Sequence, residues 1–123
     1  MVRRTLLLVS PPVLCAQTWW ANRIANKPHL ASLAGYVRDL ADVRILELDT
    51  TVGDDTDSQL ALLEEQLDES VSLVGISCWT SLHYLGALAV AEKVRSVVPR
   101  VPIVIGGHHP TAMPRDFTHE VCD

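Results

Sequence analysis

Val101-Pro-Ile-Val-Ile-Gly-Gly-His-His-Pro-Thr111 is the stretch whose reading decides the fold. A short β-branched run begins beside a proline and ends in two glycines, as a buried strand of a parallel sheet does. Gly106 and Gly107 carry no Cβ, so the chain can turn sharply and a bulky group can approach the backbone. In a parallel α/β sheet ligands bind at this place, the carboxyl end of a strand.

Upstream of it the chain alternates strand and helix. Thr5–Val9 is an apolar run of strand length, stopped by Ser10-Pro11-Pro12, whose prolines lack the donors a ladder needs. Residues 13–27 have no clear period and carry Trp19-Trp20, which predicts a long first loop with a lid or interface role. Pro28 then opens a helix with Leu30, Leu33, Ala34, Val37 and Leu40-Ala41 on one face. Val43–Leu48 alternates in part and reads as a second strand nearer the sheet edge. The acidic run 49–57 reads as a solvated loop, with Asp54, Asp55 and Asp57 supplying a helix cap.

The spacing of Leu60, Leu63 and Leu67 predicts a second helix over 58–69. Residues 71–76 form a third buried strand, followed by the loop Ser77-Cys78-Trp79-Thr80-Ser81. A third helix spans 82–98, capped by Thr80 or Ser81 and stopped by Pro99. After the fourth strand, residues 113–117 begin a short helix.

Composition excludes several classes. Apolar residues make up 48% and charged residues 20%, the balance of a globular domain. A net charge of -5 argues against nucleic acid as the main partner, because phosphate binding needs a basic face. The apolar run after Arg3-Arg4 is too short for a signal peptide, and no stretch reaches a membrane span. Cys15, Cys78 and Cys122 are odd in number and far apart, so a disulfide framework is not expected. A cytosolic compartment follows as the expectation.

Strand–helix units in this order require right-handed crossovers and a parallel sheet. The expected fold is α/β, Rossmann-like or flavodoxin-like, with strand order 2-1-3-4 and a crevice where the winding reverses. That topology gathers three loops on one edge: Ser10-Pro11-Pro12, Ser77 to Ser81, and Gly106 to Thr111. The hydroxyls of Ser10, Ser77, Thr80, Ser81 and Thr111 suit a ligand with phosphate, ribose or amide groups. No GxGxxG follows the first strand and no GxxxxGK[ST] loop occurs, which argues against a dinucleotide or ATP. Phosphoryl transfer of the receiver type would need acids where the chain has Ser-Pro-Pro.

Taken together, Ser10-Pro11-Pro12, Val74-Gly75-Ile76-Ser77 with Thr80, and Ile103-Val104-Ile105-Gly106-Gly107-His108-His109-Pro110-Thr111, with Pro114, resemble one known family. The chain looks like the amino-terminal cobalamin-binding domain of cobalamin-dependent radical S-adenosylmethionine enzymes. The resemblance implies a corrin ring on the carboxyl edge of the sheet and a nucleotide tail threaded between sheet and helices. Ser77 with Thr80 or Ser81 would touch the tail, Gly106 and Gly107 would line its channel, and Ser10, Pro11 and Pro12 would border the entrance. His108 and His109 would meet the ring edge or a partner domain, with Thr111 beside them. Neither histidine is expected to ligate metal, since adjacent side chains diverge.

Cobalamin domains of the methionine synthase type carry DxHxxG after the first strand, and no Asp, His or Gly stands between Ser10 and Asn22. His-on binding through that motif is thereby excluded; the resemblance implies base-off binding with a non-coordinating residue over the lower cobalt face, for which Trp79 is the candidate unless it simply packs in the core. Cys78 either lies beside the cofactor or is an inert buried thiol. His29, His83 and His119 read as surface or satisfied histidines.

A radical S-adenosylmethionine enzyme holds its [4Fe-4S] cluster with CxxxCxxC, which these three cysteines cannot form. The chain is therefore expected to be a domain of a longer enzyme, most simply a methyltransferase. The cluster, S-adenosylmethionine and the catalytic domain would then lie outside residues 1–123. The family's fifth strand would begin near Val121-Cys122-Asp123, so the edge beyond the fourth strand is expected to be open and able to support a dimer. Two alternatives stay open: a degenerate docking module without cobalamin, and a flavodoxin-like domain for another nucleotide-type ligand.

Overall fold

The structure, a computed structural model, describes residues 4–14, 28–50 and 55–123. Cys15, the loop with Trp19-Trp20 and Asp54 lie outside the described residues. The element order is β1 (Thr5–Ser10), α1 (Pro28–Val37), β2 (Asp42–Glu47), α2 (Thr56–Gln66), β3 (Val71–Ser77), α3 (Tyr84–Val97), β4 (Ile103–Gly106) and α4 (His108–Ala112). Short 3-10 turns occupy Leu48–Thr50, Ser81–His83 and Pro114–Asp116.

All strand pairs are parallel, in the order β2-β1-β3-β4. This is the expected flavodoxin-like arrangement, with the reversal between β1 and β3. One irregularity sets the faces. Thr5 pairs with Val71 but Leu6 pairs with Leu73, so Ser72 is an extra residue in β3, and its hydroxyl donates to the Thr5 carbonyl at 3.3 Å. The bulge lets Val71 and Val74 share a face, which strict alternation would forbid.

On that face Leu7, Val9, Val71, Val74, Ile76 and Ile103 pack against Leu63 and Leu67 from α2 and its following turn and Ala87, Val90, Ala91 and Val94 from α3. These side chains are buried, and each large one contributes roughly 1.5–3 kcal/mol relative to exposure. The opposite face carries Leu6, Leu8, Leu73, Gly75 and Val104 and, among the described residues, receives α1, which lies against β2. Leu30 is the one buried residue of that helix. Helix α1 is shorter than its apolar pattern: it ends at Val37, and Leu40 is exposed.

Three helix starts differ from the sequence reading: α3 begins at Tyr84 rather than at residue 82, behind the 3-10 turn Ser81–His83, and α2 and α4 also start early. Asp55, the nearest acid before Thr56, caps α2 by accepting from the Ser58 N–H at 2.7 Å, and this bond holds its carboxyl below the usual range. The segment after Gly107, expected as loop, folds at once into α4. Pro110 is tolerated there because the first turn of a helix has no internal N–H partners to lose.

At its far end Asp123 reaches the outer side of β4. Its N–H donates to the Ile103 carbonyl at 2.9 Å, and its carboxylate accepts from the Ile103 N–H at 2.9 Å and from Arg95 at 2.8 Å. No described helix is long and apolar enough to cross a membrane.

Candidate functional site

Because α1 covers only part of its face, a groove of about 540 Å³ lies between that helix and strands β1, β3 and β4. Its floor is Leu6, Leu8, Leu73, Gly75 and Val104, and its helix wall includes Leu30, Leu33 and Val37. At the carboxyl edge of the sheet the mouth is ringed by His29, Ser77, Trp79, Gly106, Gly107 and His108.

A bond spans the mouth. His29 Nε2 and Ser77 Oγ lie 2.9 Å apart, joining the first turn of α1 to the end of β3. A parallel crossover explains the meeting: α1 leaves the carboxyl end of β1, so its first turn shares an edge with the strand ends. The sequence reading missed His29, although helix start and topology together place it there.

The two glycines do different things. A Cβ on Gly106 would meet nothing within 4 Å, so this position is open toward the mouth. Gly107 has φ of 118°, and a Cβ there would stand 2.5 Å from the Cys78 carbonyl oxygen. Backbone geometry alone therefore requires glycine at 107. The tight approach brings the Cys78 carbonyl to the His109 N–H, 3.2 Å away, which fixes α4 against the β3 loop.

Of the residues named from sequence, Ser77, Trp79, Gly106, Gly107 and His108 come together on the groove. The others do not line it. Ser10, Pro11 and Pro12 are buried, and Pro12 is pressed against α3: a Cβ on Gly86 would fall far inside contact distance of the Pro12 carbonyl. Cys78 is fully buried in the core, and burial pushes its thiol up to about 11. It is a neutral, inert thiol at physiological pH.

Thr80 caps the turn before α3 through the Leu82 N–H, 3.3 Å away. Its hydroxyl also meets His83 Nδ1 at 3.2 Å, and His83 Nε2 meets the buried Asp49 carboxylate at 3.2 Å. Asp49, His83 and Thr80 thus tie the β2 and β3 loops together on the side of the core.

His109 holds a second cluster with Ser81 and Asp116, while Thr111 is exposed on α4. His109 is buried, with Nδ1 2.9 Å from the Ser81 hydroxyl and Nε2 2.8 Å from the Asp116 carboxylate. Its ring stacks on Tyr84 at 4.9 Å and meets Phe117 edge-on at 5.7 Å. Thr111 donates to the Gly107 carbonyl at 2.8 Å within α4. Of the adjacent histidines, His108 faces the groove and His109 clamps α4 to the body. No cluster of three or more metal-ligating side chains occurs among the described residues.

The arrangement can hold an elongated ligand: polar at the sheet edge, flat and apolar along the strands. Comparison with known proteins found no match among curated proteins and none among solved structures. A comparison with protein families matched the B12 binding domain over residues 24–123, most of the chain and all of the groove except the β1 floor. With its 2-1-3-4 sheet and edge groove, the chain belongs to the B12-binding domain family and is a cobalamin-binding domain.

Proposed function

We propose that this domain carries cobalamin base-off for a radical S-adenosylmethionine enzyme, most simply a methyltransferase. The groove is the observation that supports the reading, because it fits a nucleotide tail on three counts. Its length follows the strands, its floor is the hydrocarbon of Leu6, Leu8, Leu73 and Val104, and its mouth opens at Gly106, where a Cβ would project into free space. His29 and Ser77 offer hydrogen bonds where a sugar-phosphate linker would enter, and the leucine walls bury a flat base.

The chain's own groups then have distinct tasks. His29 and Ser77 orient the entering tail, and the closed turn at Gly107 keeps the β3 and β4 loops in fixed register below the ring. Trp79, 39% exposed at the mouth, presents a large ring without ligating atoms and excludes water from the space beside it. Residues 10–22 hold no histidine, so a lower ligand of the DxHxxG type is excluded, and a tail seated in the groove would hold its base away from the cobalt, which is the base-off form. Bound cobalamin supplies a metal centre able to accept and donate a methyl group. In this reading the [4Fe-4S] cluster and S-adenosylmethionine sit in a radical catalytic domain, which is the partner facing the corrin.

Visible spectroscopy tests the proposal. The purified chain is mixed with hydroxocobalamin, freed of unbound cofactor, and scanned. Retained colour with a base-off spectrum is expected. A colourless protein overturns the reading and favours a docking module, and a base-on spectrum removes the base-off assignment.

A further inference from the structure

We infer that the groove selects among cobamides by the lower base, accepting an apolar benzimidazole and discriminating against a purine; this rests on the reading that the tail lies in the groove. The division of the lining carries the inference. Its hydrogen-bonding side chains, His29, Ser77 and His108 with the Trp79 indole, all belong to the carboxyl edge. Further in, the sheet contributes Leu6, Leu8, Leu73 and Val104 and the helix contributes Leu33 and Val37, hydrocarbon throughout.

The backbone of β1 and β3 adds no partner. β1 pairs on both sides, with β2 and β3, and β3 pairs with β1 and β4, so their amide and carbonyl groups are engaged in the ladders. The inner helix wall is hydrogen-bonded to itself. A ligand group packed against the inner half gives up water on that face and meets no donor or acceptor among the described residues.

Lower bases differ in that respect. Dimethylbenzimidazole has one free ring nitrogen and two methyl groups that gain from burial. Adenine presents several ring nitrogens and an exocyclic amine, each of which loses water here without replacement. One such unsatisfied group lowers affinity by about tenfold or more.

Three probes and one variant test this. Affinities are measured from absorbance changes for hydroxocobalamin, for the cobamide with adenine as lower base, and for cobinamide, which has no nucleotide tail. The expected order places hydroxocobalamin at least about tenfold tighter than the adenine cobamide. Leu33, on the helix wall of the inner half, is 53% exposed, so Leu33→Asn leaves the fold intact while placing an amide against the lower base. That variant is expected to strengthen binding of the adenine cobamide and narrow the preference.

Equal affinity for the two tailed cobamides overturns the inference and leaves cobalamin binding standing. A preference unchanged by Leu33→Asn moves selection out of the groove and also overturns it. Cobinamide binding as tightly as hydroxocobalamin removes the tail from the groove, and absence of all binding removes the proposed function as well.

Discussion

The His29 imidazole and the Ser77 hydroxyl, 2.9 Å apart, form the link between α1 and β3 at the mouth of the groove. Forty-eight residues separate them, and the bond exists because a right-handed crossover returns the start of a helix to the edge where the strands end. Uncoupling it should be visible in stability and in binding. In a double-mutant cycle of His29→Ala and Ser77→Ala, urea unfolding should yield a coupling of about 1 kcal/mol. Each single variant should weaken hydroxocobalamin several-fold; wild-type affinity in both would remove the clasp from the site.

Gly106 and Gly107 should respond in opposite ways. Gly106→Leu projects into open space, so the unliganded variant is expected to melt with the parent chain while losing cobalamin retention. Gly107→Ala forces a side chain into positive φ against the Cys78 carbonyl and should cost roughly 1–3 kcal/mol without any ligand. Thermal melts of the two ligand-free variants, run beside a retention assay, separate the roles. A destabilised Gly106→Leu would contradict the open mouth.

Gly86 is a packing glycine. Its α3 backbone abuts the Pro12 carbonyl so closely that even a methyl group must displace main chain. Gly86→Ala is therefore expected to destabilise by about 1–3 kcal/mol, through overpacking rather than lost contacts. Chemical denaturation measures this, and a neutral result would show that α3 can slide off the β1 loop.

The Cys78 thiol, raised to about 11 by burial, should be slow to alkylate. Mass mapping after a brief iodoacetamide pulse at pH 8 is expected to find it unmodified in the folded chain and labelled in urea. The sign of the linked stability follows. Between about pH 9 and pH 11 the unfolded chain releases this proton while the folded chain keeps it, so stability falls as pH rises through that window. Cys78→Ala should flatten that part of the stability–pH curve.

His83 lies against the carboxylate of Asp49, which is 1% exposed. His83→Ala takes the imidazole away from a buried carboxyl group and is expected to cost about 1–3 kcal/mol. The loss should be smaller in an Asp49→Asn background, since the carboxyl partner is then already gone. Affinity for hydroxocobalamin should change little when measured on the folded fraction, because neither residue lines the groove; a large loss would place this pair in the site.

Most of the architecture is legible in the residues themselves. Apolar runs mark β1, β3 and β4 and partial alternation marks β2, and the strand–helix alternation permits few orders besides 2-1-3-4, because parallel crossovers have one hand. Part of the site follows: Ser77 and Gly106 end their strands and Trp79, Gly107 and His108 come just after them, and topology alone sends strand ends to the same edge. Side-chain direction was decided later. His108 and His109 are identical neighbours in sequence, yet the short helix α4 turns one to the groove and seats the other between Tyr84, Ser81 and Asp116. Ser10, Pro11 and Pro12 follow a strand as Ser77 does, but close packing with Gly86 draws Pro12 to the opposite side of the sheet from the groove. Local pattern thus specified elements, their order and the functional edge, because propensity and periodicity act between near neighbours. Which hydroxyl meets which imidazole, and which glycine is open, depended on long-range packing, where small shifts of backbone choose among equally polar partners.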